Sequence, residues 1–313
     1  MKQTNEIDIH DNIVCDTSFL SIVKITGADA KTFLQGQFSN DVNLLTENNS
    51  QLSSYNSPKG RLYASFRLLK SGRDFLMLLP SEVTESIIKR LRMFIMRSNV
   101  NIENISDNWK SIGLSGFSIT SEINQAPQEA NNVLTNKGTT YISLPGVTKR
   151  LLALGPEESI KQLTNRLTEK NLLVNANHWK RLDIHAGLPN IYTATQESFV
   201  AQMVNLQFIN GLSFTKGCYP GQEVIARMRY LGKLKKRMYR ITINSDIAPN
   251  PGENLYLGGN SQSIGKIVDA QPNNQGRIDA LAVIQNSACD QGEIYVNDAA
   301  LSLTELPYAV VAD

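Results

Sequence analysis

A chain of 313 residues, 41% hydrophobic and 19% charged, is long enough for two or three packed units and too apolar to be disordered. Its formal charge of +2, from 31 basic and 29 acidic side chains, excludes a generally basic nucleic-acid coat. No apolar run approaches a membrane span, and the polar start MKQTNEIDIHD lacks the pattern of a secretory leader, so the expected location is cytoplasmic. Cys15, Cys218 and Cys289 are scattered, and His10, His178 and His185 show no ligand spacing. Neither a disulfide framework nor a metal site is expected.

In chain order, residues 21–26 form a short β-rich run. Gly27 and Asp29 then open a helical stretch carrying Ala30, Phe33 and Leu34. Residues 61–69 and 75–79 are apolar runs around Ser71 and Gly72, a hairpin signal. Ser81 stands where it can cap a helix with Glu82 and Glu85 in its first turn. Val83, Ile87, Ile88, Leu91, Phe94 and Ile95 share one face of that helix. The polar stretch 118–138 reads as a linker. The order then recurs: 141–144 and 150–154 flank Pro145 and Gly146, and a helix follows with Pro156 in its first turn and Ile160, Leu163 and Leu167 on one face. Two hairpin-then-helix units about seventy residues apart predict two related α+β halves. Beyond 236 the texture changes to short strand-like runs, 238–243, 254–257, 264–268, 278–284 and 293–296, separated by Pro, Gly and Asn clusters. That pattern predicts a small antiparallel barrel or sandwich.

The charge is unevenly spread. Residues 216–240 carry Lys216, Arg227, Arg229, Lys233, Lys235, Lys236, Arg237 and Arg240 against one acid, Glu223. The segment is +7, leaving −5 for the rest of the chain. It begins at KGCYPGQEVIAR (216–227). Pro220 and Gly221 make a turn, and Gln222 opens a helix with Val224, Ile225 and Met228 facing inward. Cys218 is thereby placed before a helix N-terminus and beside Lys216, two influences that favour a thiolate. The residues alone leave two readings open: a working thiol, or a small buried hydrophobe. Glu223 and Arg227, spaced i,i+4, can brace the helix.

KGCYPGQEVIAR resembles the signature of the YgfZ family of folate-binding proteins, relatives of the glycine-cleavage aminomethyltransferase. The resemblance extends to Trp179-Lys-Arg-Leu-Asp-Ile-His-Ala-Gly187-Leu-Pro189, to Gln202-Met-Val-Asn205-Leu, to Ile25-Thr-Gly-Ala-Asp29, Phe33-Leu-Gln-Gly-Gln37, Asn40-Asp41-Val42 and Pro58-Lys-Gly-Arg61, and to Leu306-Pro307-Tyr308. It implies an α+β aminomethyltransferase-like folate-binding fold. Residues 1–236 would form a folate-binding region of two related α+β subdomains, at about 1–120 and 136–236, and residues 237–313 a C-terminal antiparallel β-barrel. It also implies support of iron–sulphur cluster enzymes, including those that thiomethylate tRNA, and a tetrahydrofolate or derivative as cofactor. Cys218 would be the functional thiol and Lys216 its activator. The folate-site candidates are Trp179, His185, Asn205, Tyr219, Gln222, Glu223, Arg227 and Lys59. Trp179 is read as either a pterin wall or an ordinary core residue. Arg227, Arg229 or Lys59 could meet the anionic tail of a folate.

The sequence departs from the family pattern at three points. The transferase relatives carry a pair of acids after the Lys-Gly turn, and the aligned positions here are Ala64 and Ser65. A methylene transfer then lacks its proton carrier. His185 stands where relatives have a glutamate able to pair with a pterin edge, and a neutral imidazole lacks the two-oxygen acceptor. Ala201 stands where a proline is common. The reading is therefore an accessory factor rather than an enzyme, with iron–sulphur clients and folate as partners and neither membrane nor DNA among them. The alternatives are a folate-dependent aminomethyl transferase and a direct tRNA-binding module. The latter would use Lys233, Lys235, Lys236 and Arg237 with Tyr230 and Tyr239 interleaved.

Overall fold

Two sheets and a barrel hold the strands of the computed structural model, which describes residues 8–231 and 234–310. The chain opens with β1 (Ile13–Asp16) and β2 (Leu20–Thr26), which part at once into different sheets. After β2 come α1 (Ala30–Gln37), β3 (Ser50–Asn56), β4 (Leu62–Ser71), β5 (Asp74–Pro80), α2 (Ser81–Arg92) and β6 (Asn101–Asn104). The next elements repeat that order: β7 (Trp109–Ser115), α3 (Phe117–Ser121), β8 (Val133–Asn136), β9 (Thr139–Leu144), β10 (Arg150–Pro156), α4 (Glu157–Thr168) and β11 (Leu172–Val174).

The sheets repeat as well. The first runs β3-β4-β5-β2-β6 and the second β8-β9-β10-β7-β1-β11. They are the same sheet, except that β1 is inserted between β7 and β11. The equivalent edge strands β3 and β8 approach each other through an Asn49–Asn132 bridge, with Ser50 N–H on Asn131 O at 2.7 Å and Val133 N–H on Asn48 O at 2.8 Å. Two like halves thus meet edge to edge, which leaves neither edge open to a foreign strand. The two predicted α+β halves are present.

Both hairpins hand over to their helices in the same way. Pro80 (φ −54°, ψ 131°) and Pro156 (φ −51°, ψ 141°) end their strands and take the N-cap position. A φ fixed near −65° suits a strand end as well as a helix start. Ser81 is consequently the first helical residue and does not cap, and Pro156 sits one place before the first turn. The apolar face of α2 stops at Leu91; the helix ends at Arg92 and Phe94 turns outward, 51% exposed. The stretch expected to be a linker, 118–138, holds most of α3 and all of β8.

Next come α5 (Ala176–His185), an irregular run with short 3₁₀ turns, α6 (Gln222–Leu231) and a closed barrel. Its strands are β12 (Lys236–Ile243), β13 (Asn254–Leu257), β14 (Ser263–Pro272), β15 (Ile278–Gln285), β16 (Ile294–Val296) and β17 (Ala299–Thr304), in the order β12-β15-β14-β13-β16-β17. The barrel was expected; β17 was not, because AALSLT carries little apolar alternation. Helix α5 is the hub. It packs on β1 of the second sheet and on β14 and β15 of the barrel. Among the described residues no helix is long and apolar enough to cross a membrane.

Polar groups buried between the barrel and the irregular run lock the two together. The Tyr192 hydroxyl donates to Asp269 Oδ2 at 2.6 Å, and Asp269 is 2% exposed. Burial pushes the Asp269 carboxyl up to about 6, against hydrogen bonds from Tyr192 and Gln271 that favour the ionised form. A folded-state pKa above the unfolded one stabilises the protein at low pH, and the contribution is lost as pH rises through 6. Relative to Asp269→Asn, the wild-type protein should lose about 1–3 kcal/mol between pH 4 and pH 7. Urea midpoints at each pH measure this, and parallel profiles would contradict it.

Candidate functional site

The segment singled out by its motif is held by its lysine. Lys216 is 7% exposed, and its Nζ donates to Phe38 O at 2.6 Å, Gln35 O at 2.7 Å and Asn40 O at 3.0 Å. These carbonyls lie at and beyond the end of α1, where helix carbonyls lack intrahelical partners. An ammonium has three donors, and all three are engaged. Burial pulls Lys216 down to about 8, with Asp41 opposing. The group remains an ammonium at pH 7. Its donors serve α1, so the lysine positions the loop, and none of the three is left to bond the Cys218 sulfur. The same ammonium stands 5.1 Å from the centre of the Tyr219 ring.

Cys218 is exposed and unbonded, which removes the reading of a small buried hydrophobe. Tyr219 turns inward at 6% exposure, burial pushes its phenol up to about 12, and its hydroxyl has no partner. The following turn needs glycine. Gly221 has φ +81°, and a Cβ there would lie 2.5 Å from Ser57 O and 2.6 Å from Gly60 Cα. The Pro58-Lys-Gly-Arg61 turn and the Pro220-Gly-Gln turn thus dock glycine on glycine, two motifs far apart in sequence. Gln222 Nε2 closes the loop on Lys216 O at 3.3 Å. Lys59, Glu223 and Arg227 are exposed, and among the described residues no ion pair joins Glu223 to Arg227. The expected i,i+4 brace is absent, as is usual where water competes for both charges. Val224, expected inside, is 36% exposed and rests on Gly60. Lys233 lies outside the described residues, as does the Tyr230 side chain.

The proposed pterin residues fall elsewhere. Trp179 is 1% exposed, with its ring laid on Gly113, where any Cβ would come within 2.2 Å of it, and with the Arg150 guanidinium 5.1 Å from its centre. It is a core residue that also lines a cavity of about 60 Å³ between the two halves and α5. Ser65, Arg67, Asp183 and Asn190 contribute the polar wall. Ser65 Oγ donates to Pro189 O at 2.7 Å. Arg67 donates to Asn131 Oδ1 at 2.7 Å and Ser50 Oγ at 3.0 Å, and burial pulls its guanidinium down to about 10, with Arg150 adding to the effect. Asp183 Oδ1 lies 2.8 Å from Arg150 Nη1, an ion pair rather than an aligned hydrogen bond, and Oδ2 accepts from Asn190 at 3.3 Å.

His185 is not at this cavity. Its Nε2 lies 2.8 Å from Asp279 Oδ2, and Arg240 Nη1 donates to its Nδ1 at 3.0 Å. A guanidinium only donates, so Nδ1 accepts and the neutral ring gives its Nε2 proton to Asp279. Burial works to raise Asp279, but hydrogen bonds from His185, Asn273 and Arg181 hold it below the usual carboxylate range. Asn205, in the left-handed conformation (φ +61°), donates to Met238 O at 3.0 Å and approaches the Tyr308 hydroxyl at 3.4 Å. His185 and Asn205 are therefore joints between the two-sheet region and the barrel. The candidates thus occupy three places rather than one. Arg67 and Asp183 were missed; Arg67 was signalled as an isolated charge within an apolar strand, whereas Asp183, among the charges of α5, gave no such signal.

A pterin does not fit the central cavity as it stands. The chemistry is suitable in kind, with a carboxylate, an amide and apolar walls. Yet a benzene-sized guest alone needs a cavity on the order of 150 Å³.

Two outcomes follow from these contacts. Lys216→Met strands one buried and two part-buried carbonyls and should lower stability by about 2–4 kcal/mol, read by denaturant midpoint. His185→Gln keeps a neutral donor and acceptor and should cost less than about 1 kcal/mol, whereas His185→Leu should cost about 2 or more. Equal losses for the two would contradict the neutral-imidazole assignment.

No family model matches the chain. It is 31% identical over 304 residues to the tRNA-modifying protein YgfZ of Yersinia pestis (strain Pestoides F), covering 94% of this chain and 91% of the relative. It is 30% identical over 299 residues to the YgfZ of Escherichia coli (strain SMS-3-5 / SECEC), covering 93% and 91%. Among solved structures, the glycine cleavage system aminomethyltransferase T of Bartonella henselae superposes with a TM-score of 0.74 at 12% identity, covering 95% of this chain and 86% of that one. That likeness is one of fold. The identity sustained along nearly the whole chain places this protein in the YgfZ family.

Proposed function

We propose that this protein is an accessory factor of the cytoplasm that supports iron–sulphur enzymes, and through them the thiomethylation of tRNA, with Cys218 as its working thiol. The observation that carries the reading is the division of labour in KGCYPGQEVIAR: the lysine is spent inside the protein, and the cysteine is presented outside it. An exposed thiol on a braced loop can meet a partner's cluster or thiol, which a buried one cannot. The names of the relatives, tRNA-modifying protein YgfZ, support the destination.

The runner-up, a folate-dependent aminomethyl transferase, lacks a free acid. Ala64 and Ser65 are buried without a carboxylate, and the carboxylate near them, Asp183, is tied to Arg150. Nothing there is free to carry a proton. A tetrahydrofolate or derivative is the ligand suggested by the transferase-like fold for the central cavity. Its binding requires the cavity walls to part, and no chemical step is assigned to it.

In cells lacking the factor, Cys218→Ala produced at wild-type level should leave thiomethylated tRNA as low as in the deletion strain, measured by mass spectrometry of nucleosides. Full restoration by Cys218→Ala would remove the thiol from the reading. Calorimetry with reduced folates tests the ligand separately. Heat that disappears in a variant of Arg67, such as Arg67→Leu of confirmed fold, places the folate at the cavity. No heat at millimolar folate rejects that ligand and leaves the thiol role standing.

A further inference from the structure

A second concavity lies beside α6, where the basic segment meets the loop that precedes it. It measures about 300 Å³ and is lined by Gln202, Gln207, Phe208, Leu212, Phe214, Met228, Arg229 and Leu234. None of these residues belongs to the central cavity or to the joints with the barrel. The loop 205–214 supplies the aromatic wall, α6 supplies Met228 and Arg229, and the approach to β12 supplies Leu234.

Three features of the cleft act together. First, the Phe214 ring carries a guanidinium, Arg229 at 4.0 Å from its centre, and the Arg237 guanidinium approaches the Phe208 ring at 5.8 Å. An arginine laid on an aromatic ring is a flat cationic platform on which a further planar π-system can stack. Second, two amide oxygens at the wall, Gln202 Oε1 and Gln207 Oε1, are buried without a partner. Gln202 is 5% exposed and cannot reverse its amide, because its Nε2 is committed to Ile225 O. An acceptor left unmet in this way is costly, and a donor at the cleft wall would relieve it. Third, the chain at the cleft is positive: Arg229 lines it and is exposed, Arg227 and Lys235 are exposed, and Lys236 and Arg237 are half-buried, all close in sequence to the lining residues Met228, Arg229 and Leu234.

A planar ring, hydrogen-bond donors at the ring edge and a negative charge attached to the ring together describe a nucleotide whose base bears an exocyclic amine. We propose that this cleft binds such a nucleotide, either free or as one residue of single-stranded RNA, with the base against the Phe–Arg platforms, its amine toward Gln202 and Gln207, and its phosphate at Arg229. The site is separate from Cys218 and from the central cavity, and it stands whether or not the thiol and folate readings do. A groove that holds one base and several phosphate-binding cations is the minimal form of single-strand recognition.

The test uses the full chain at about 50 mM salt, where phosphate contacts are strong. Labelled hexa-adenylate is titrated by fluorescence anisotropy, with AMP, hexa-uridylate, inorganic polyphosphate and pteroylglutamate as competitors. Hexa-adenylate should bind, AMP should compete, and polyphosphate of equal charge and hexa-uridylate should each compete at least about fivefold more weakly than unlabelled hexa-adenylate. Gln207→Leu and the exposed Arg229→Gln should each weaken hexa-adenylate binding at least about fivefold, with thermal melts unchanged. If Gln207→Leu does not fold, Arg229→Gln carries the test alone. Hexa-adenylate held more tightly than AMP assigns the cleft to RNA; AMP held as tightly as hexa-adenylate assigns it to a free nucleotide. Both outcomes uphold the site. Wild-type affinity in the variants, polyphosphate or hexa-uridylate competing as well as hexa-adenylate, tighter binding of pteroylglutamate than of AMP, or no binding of any nucleotide would overturn it.

Discussion

A buried ammonium is tolerated only when every one of its N–H groups is met, and Lys216 meets that condition with backbone alone. Its three acceptors belong to the end of α1 in the first half of the chain, whereas the lysine belongs to a loop almost two hundred residues later. The contact therefore joins regions that local sequence cannot join. It closes the open end of α1, holds the Cys218 loop against the first sheet's neighbourhood, and fixes where α6 begins. The Gly60–Gly221 contact beside it sets how closely the two turns approach. Remove either, and the thiol loses its defined place on the surface.

Helix α5 plays the complementary part on the other side. One face carries Trp179 and Asp183 to the central cavity, and its last turn carries His185 to Asp279 of the barrel. Arg181 reaches the same carboxylate at 2.9 Å. A single carboxylate thus collects a guanidinium and a neutral imidazole, and Arg240 from the barrel sets the imidazole tautomer. Where relatives are expected to present an acid toward a pterin, this chain has built a mechanical joint. The central cavity keeps Arg67 and Asp183 in its wall, with Arg67 and Arg150 sharing Asp183.

The two hairpin-and-helix units were legible because β4, β5, β9 and β10 are apolar runs punctuated by turn residues and followed by amphipathic helices. The barrel was legible from short runs at regular spacing. Other elements left little trace. Strand β3, SQLSSYN, is polar because Ser53 and Ser54 pair with Ser39, and Ser50 with the backbone of Asn131, rather than with oil. Helix α5 hides its burial behind Arg181, Asp183 and His178, residue types that normally mark a surface. At the site, the motif singled out the segment but not its wiring. A lysine two residues from a cysteine looks like its activator in one dimension. In three dimensions the unmet carbonyls of a distant helix compete for the same protons and win them.

The insertion of β1 between β7 and β11 has a consequence for the order in which the molecule can be made. Ile13 pairs with Ser115 on one side and with Leu172 on the other. During synthesis the first sheet, residues 20–104, can close while β1 still has no neighbour, since its partners have yet to emerge. The N-terminal strand must wait until β11 at Leu172–Val174 has been made before both its edges are covered. The second sheet is thus sealed by the oldest part of the chain, and the long-range contact that completes it belongs to the slow end of the folding process.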